Sequence, residues 1–128
     1  MPRPINPKSI APPFSKYAHA VEVTAGTRLL FVSGQVGIMP DGRMAPTEEG
    51  QHEQAWKNVL AVLAEAGMTA RDIIEVTVLI TGRSGVPLFR AARDRALAGH
   101  EAATTLHIVA GLAGPDWLVE ITVVAGQS

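Results

Sequence analysis

Cysteine is absent from the 128 residues, which excludes disulfides, thiolate metal sites and a cysteine nucleophile. Aromatic residues are scarce at 5%, and no run of lysine and arginine interleaves with them. The stacking and electrostatic footprint of a nucleic-acid binder is therefore missing, and no nucleic-acid partner is expected. A net charge of −1 and a pI of about 6.4 point the same way. No apolar run approaches the roughly 20 residues that span a bilayer, so no membrane partner is expected either. The N-terminal MPRPINPKSIAPPF is proline-rich and holds no continuous apolar segment of the kind a secretory signal needs, so a cytoplasmic location is expected. Metal and phosphate motifs are missing too. His19, His52, His100 and His107 form no i,i+4 pair and no HExxH, so no metal site and no cofactor are expected. Ser33-Gly34-Gln35-Val36-Gly37 lacks the GK[ST] of a phosphate loop, and neither Ser33 nor Ser84 sits in GxSxG.

What is present is a core. Hydrophobic residues make up 47% against 18% charged, enough for one globular domain over residues 1–128. Residues 1–14 carry Pro2, Pro4, Pro7, Pro12 and Pro13, which predicts an extended arm without ladder pairing. Tyr17–Val23 alternates as a strand, and Arg28–Ser33 is its expected hairpin partner across Ala25-Gly26-Thr27. Gly34, Gly37, Pro40, Asp41 and Gly42 punctuate a long loop.

Thr47 is placed to cap a helix whose first turn holds Glu48 and Glu49. Ala55, Trp56, Val59, Leu60, Leu63 and Ala64 recur at helical spacing, and Gly67 closes the helix. Ile73–Thr81 is a strand rich in β-branched residues. A second helix, with Pro87 in its first turn, runs to about Ala98 and turns Phe89, Ala92 and Ala96 inward. Thr104–Ala110 and Trp117–Ala125 are the last strands. The order ββ-α-β-α-ββ predicts an α+β fold in which two helices cover one face of a mixed sheet. The other face also needs cover in so apolar a chain, so an oligomer is expected.

The last strand poses the functional question. In Trp117–Ala125, Val119, Ile121 and Val123 share one face, and Glu120 lies between them on the other. A carboxylate there belongs either on a solvated sheet face or in a pocket.

Tyr17 before the first strand, Ser33-Gly34-Gln35, Gln54 and Asn58 with Ala66-Gly67, Val76-Thr77-Val78 and Val119-Glu120-Ile121 together resemble the Rid family. That family is also called YjgF or endoribonuclease L-PSP. The resemblance runs from about Pro13 to Ala125 and rests on the order and spacing of these motifs. It implies a chorismate-mutase-like fold and a homotrimer with three clefts between subunits. It also implies hydrolysis of reactive enamines and imines to a keto acid and ammonia. Glu120 matches the carboxylate that handles the attacking water. Tyr17, Ser33 and Gly34 match the pocket wall, and Leu106 follows the clamp position as a further substrate-binding residue.

One departure is large. Archetypal members read Pro-Ala-Arg-Ser/Thr where this chain reads Ala102-Ala103-Thr104-Thr105, so Thr104 stands in place of the arginine that clamps the substrate carboxylate. A neutral hydroxyl in place of that charge costs about 1.5–3 kcal/mol of substrate binding. Arg90 is a candidate replacement from the second helix, or else a surface residue paired with Asp94 at i,i+4. His107 stands either in the cleft or over the sheet face. Three functions are compatible with these residues. The first is a divergent hydrolase acting on an imine, enamine or related reactive carbonyl compound. The second is the archetypal 2-iminoacid deaminase with Arg90 as clamp, and the third is a non-catalytic trimer that binds a small molecule.

Overall fold

The computed structural model describes residues 2–128. Its elements are β1 (Arg3–Ile5), β2 (Ala20–Glu22), β3 (Arg28–Val36), α1 (Glu48–Glu65), β4 (Ile73–Ile80), α2 (Gly85–Leu97), β5 (Ala103–Ile108) and β6 (Val119–Gln127). A single 3-10 turn, Ala70–Asp72, precedes β4. The main sheet has the order β3-β6-β4-β5. β6 runs antiparallel to both of its neighbours, and β4 and β5 run parallel, joined through α2. The class is α+β, with both helices on one face of the sheet.

Period-two alternation sets that packing. Val119, Ile121, Val123 and Ala125 of β6 and Val76, Val78 and Ile80 of β4 are buried against α1 and α2. Trp56, Val59 and Leu63 project from α1, and Phe89, Ala92 and Leu97 from α2. Each large apolar side chain so buried contributes about 1.5–3 kcal/mol. The helices meet through Trp56 and Phe89, whose ring centroids are 6.3 Å apart.

The helix ends follow the sequence closely. Thr47 Oγ1 accepts a hydrogen bond from Gly50 N at 3.0 Å, and Gly67 takes the left-handed conformation at φ 74°. Two polar residues of α1 fasten the sheet to it. Gln51 Nε2 donates to Asp116 O at 3.0 Å while its Oε1 accepts from Leu118 N at 2.9 Å. Asn58 Nδ2 donates to Val36 O and Ile38 O at 3.0 and 2.9 Å.

The N-terminal third differs from expectation. β2 is shorter than Tyr17–Val23, and it pairs with β1 rather than with β3. β3 takes its hydrogen bonds from β6 instead. Alternation identifies a strand but not its partner, and the apolar edge of β6 is the stronger template. The arm does enter a ladder, with Pro4 opposite Val21. This is permitted because a two-stranded edge ribbon leaves one side of each strand unpaired, and the Arg3–Glu22 ion pair closes it. Ala18 N donates to Ala102 O at 3.1 Å, linking the ribbon to the free edge of β5. The expected loop after Ser33 begins later, since β3 continues through Ser33 and Gly34 to Val36.

His52 is fully buried on α1. Neither of its ring nitrogens has a hydrogen-bond partner among the described residues, and its ring lies 6.2 Å from that of Phe89. Burial drives its pKa from 6.5 down to about 4, because the charged form loses its hydration. The unfolded chain therefore binds a proton that the folded chain refuses as pH falls below 6.5. The stability gap between His52→Leu and the wild type is expected to widen in favour of the variant by up to roughly 3 kcal/mol as pH falls from 6.5 to about 4. Urea titrations across that window measure it; parallel profiles would show that His52 does not titrate in this way.

Candidate functional site

The residues singled out in the sequence fall into two groups. The first lies at the β5 edge, on the helix side of the sheet. In register, Val76 of β4 pairs with Thr104 and with Val123, and Val78 pairs with Leu106 and with Ile121. Thr104 and Leu106 thus point the same way as the buried core. They line a cavity of about 180 Å³ together with Tyr17, Arg90, Phe89 and Arg93. Tyr17 Oη accepts from Phe14 N at 3.3 Å, and the Tyr17 ring meets that of His19 edge-on at 6.1 Å. His19 is itself tied to the arm, with its Nε2 2.8 Å from Ala11 O. Thr104 Oγ1 donates to Ala102 O at 3.0 Å, so its proton is already committed to its own strand.

The second group lies on the opposite face. Leu79 pairs with Glu120 on one side and His107 on the other, placing these three in one row on the face away from the helices. His107 therefore stands over the sheet face, exposed, and not in the cavity. Glu120 is half-buried against the β3 bulge, where the ladder between β3 and β6 breaks between Val32 and Gln35. Ser33 and Gly34 occupy that break. A Cβ at Gly34 would fall 2.0 Å from Glu120 Oε2 and 2.7 Å from its Cδ, so only glycine leaves room for the carboxylate to lie on the backbone. Gln54 Nε2 donates to Asn58 Oδ1 at 2.9 Å, and Asn58 in turn holds the end of β3 just past the bulge. Two strand spacings of about 4.8 Å each and the sheet itself separate Glu120 from Thr104 and Leu106 within one chain.

On α2 the structure corrects one pairing. Asp94 is engaged by its neighbour Arg93, whose Nε donates to Asp94 Oδ1 at 3.1 Å, and no Arg90–Asp94 bridge is present among the described residues. Arg90 is exposed on the cavity wall. Arg93 was not singled out from the sequence, yet it is only 2% exposed and lines the same cavity. Its signal is positional: it falls four residues after Phe89, within the buried stripe of α2. No cluster of three or more metal-ligating side chains occurs among the described residues.

Comparison with known proteins follows the same pattern. A family model described as endoribonuclease L-PSP matches residues 8–127. Similar curated proteins include a RutC family protein of Aquifex aeolicus, 43% identical over 70 residues, which are 54% of each chain. The RutC family protein YjgH of Escherichia coli is 42% identical over 64 residues, 50% of this chain and 48% of that one. The matches thus span about half the length of these relatives. Among solved structures, a Yersinia pestis protein of the conserved Rid family, YyfB, superposes with a TM-score of 0.88 at 30% identity over 97% of both chains. E. coli TdcF with bound serine gives 0.74 at 27% identity, over 96% of this chain and 94% of that one. With the family model covering nearly the whole chain and a Rid family structure superposing over 97% of both chains, the protein belongs to the endoribonuclease L-PSP family, the Rid or YjgF proteins.

Proposed function

We propose that this protein is a divergent Rid-type hydrolase. It adds water to the C=N bond of a small imine, or of an enamine after protonation at carbon, and works in clefts between copies of the chain. One observation carries the reading: the candidate residues divide between two faces of one sheet. Tyr17, Arg90, Thr104 and Leu106 surround the cavity on the helix side, whereas Glu120 lies over Gly34 on the other. A neighbouring copy that laid its β3–β6 face against the β5 edge would bring a carboxylate to the mouth of that cavity. The β3–β6 face is suited to such a contact, with Leu29 at 47% and Phe31 at 73% exposed; apolar surface of this kind is what subunit interfaces bury. The similarity to TdcF, crystallised with serine, supports a ligand of small amino-acid size, and the homotrimer that the resemblance to the Rid family implies is the assembly proposed.

In that cleft the chemistry balances simply. The Glu120 carboxylate accepts a proton from water as the water oxygen bonds to the imine carbon, and the C=N electron pair moves to nitrogen, which is protonated. The resulting carbinolamine then expels ammonia as its C–N bond breaks and a C=O bond forms, the hydroxyl proton passing to the departing nitrogen. General-base help of this kind is worth about 10²–10⁴-fold.

Glu120→Gln is accordingly expected to lower kcat by roughly 10²–10⁴-fold without changing the native mass. The assay is hydrolysis of 2-iminopropanoate made in situ by an amino-acid oxidase, alongside imines without a carboxylate. Unchanged turnover in the variant would remove Glu120 from the mechanism. No acceleration of any imine by the folded wild-type oligomer would instead indicate a binding protein without turnover.

Phe31→Glu tests the shared cleft. Placing a charge on the exposed apolar face is expected to give a folded monomer by light scattering and circular dichroism, with hydrolysis lost. A fully active monomer would show that one chain suffices.

A further inference from the structure

The cavity beside β5 contains a cation whose bonding is incomplete. Arg93 is 2% exposed, and its guanidinium carbon stacks 5.5 Å from the Phe89 ring centroid. Its Nε donates to Asp94 Oδ1 at 3.1 Å. Nη2 lies 3.1 Å from that same oxygen but makes no hydrogen bond there, and it has no other partner among the described residues. Of five N–H donors, one is used. A buried guanidinium left so poorly paired is costly, and buried charges are normally matched by a carboxylate or several hydrogen bonds. Asp94, alone and already bonded to Nε, occupies only one edge of the planar group.

The cavity supplies no second acceptor of that kind. Its eight lining residues include Arg93 and Arg90 but no aspartate or glutamate. Arg90, one helical turn earlier on the same wall, is exposed and adds a second positive charge. Thr104 has spent its proton on Ala102 O. Two cations, no anion and an unfilled guanidinium edge together define a site that lacks a negative group. At about 180 Å³, the cavity lies below the range of about 300–1,000 Å³ usual for drug-sized ligands.

We propose that Arg93 is the anion anchor of this cavity, and that the group it holds is the carboxylate of a small organic acid. Two parallel N–H donors match two carboxylate oxygens in plane, which a lone hydroxyl at Thr104 does not. The cation–π contact with Phe89 at 5.5 Å and the bond from Nε to Asp94 restrict the guanidinium before the ligand arrives. This assignment rests on reading the cavity as the ligand cleft of the proposed hydrolase, and it narrows that enzyme's substrates to carboxylate-bearing imines.

The test is isothermal titration calorimetry on the full-length protein with 2-oxobutanoate and, separately, its neutral isostere 2-oxobutanamide. The wild type is expected to bind the acid at least tenfold more tightly than the amide. Arg93→Met is expected to lose roughly 10- to 100-fold in acid affinity, the worth of a charge-assisted bond, and clearly less in amide affinity, since the amide offers only a neutral acceptor. Arg90→Ala weakens the acid less. Equal binding of acid and amide by the wild type overturns the proposal, as does undiminished acid binding by a folded Arg93→Met. A larger loss in Arg90→Ala than in Arg93→Met overturns it too, by moving the anchor to Arg90. Should Arg93→Met not fold, Arg93→Lys keeps the charge and removes the fork; it must still weaken the acid selectively, and wild-type affinity there overturns the assignment. Because the titration needs no turnover, it separates the two claims. Arg93-dependent acid binding without hydrolysis of any imine leaves the anchor standing and removes the enzyme. Hydrolysis that treats carboxylate and neutral imines alike, unaltered by Arg93→Met, does the reverse.

Discussion

Strand β6 is the constraint on which the rest of the structure depends. It is hydrogen-bonded on both edges, to β3 and to β4, and its alternate residues Val119, Ile121, Val123 and Ala125 are almost completely buried under the helices. A shift of register by one residue would expose all four and drive Glu120 into the apolar layer. The position of Glu120 on the outer face is thus fixed by the core's demand for its neighbours, not by any bond the carboxylate makes. The helices reinforce that choice from the side. Gln51 grips the chain on either side of Trp117, where it enters β6, and Asn58 grips the end of β3. Between these clamps the bulge at Ser33 and Gly34 opens a place where a carboxylate rests directly on the backbone.

What the sequence made legible was whatever a local rule controls. The Thr47 cap, the left-handed Gly67, the apolar stripe of α1 and the β-branched run of β4 each depend on neighbours a few residues away. Strand pairing does not. Val21 and Leu30 lie in strands that look like two halves of a hairpin, yet β3 is claimed by β6, almost a hundred residues later, and β2 is left to the proline-rich arm. Nothing within Tyr17–Ser33 encodes that competition, because its outcome depends on the apolar edge that β6 presents.

Site residues divide along the same line. Glu120 stood out because a charge interrupted an apolar alternation. Arg93 did not, although its place among Phe89, Ala92 and Leu97 is the same kind of interruption at helical period. An arginine on a helix is usually solvated along its length, since its stem packs while its head reaches water. Here the head is covered as well, and only the three-dimensional neighbourhood of the arm and β5 reveals it.

Phe89 joins this site to the core. One side of its ring environment is the neutral His52 at 6.2 Å, another is the Arg93 guanidinium at 5.5 Å. A protonated His52 would bring a second cation to the same ring, in a place where its own nitrogens have no acceptor among the described residues and Arg93 has only Asp94. Burial keeps the imidazole neutral down to about pH 4, which leaves Arg93 as the single positive charge in contact with Phe89. The packing that binds α1 to α2 therefore also sets the electrostatics of the cavity wall. An arginine held in this way has little rotamer freedom left to lose when an anion binds. The same rigidity leaves it poorly solvated when none is present. Stability and recognition draw on one aromatic contact, and a substitution at Phe89 would disturb both.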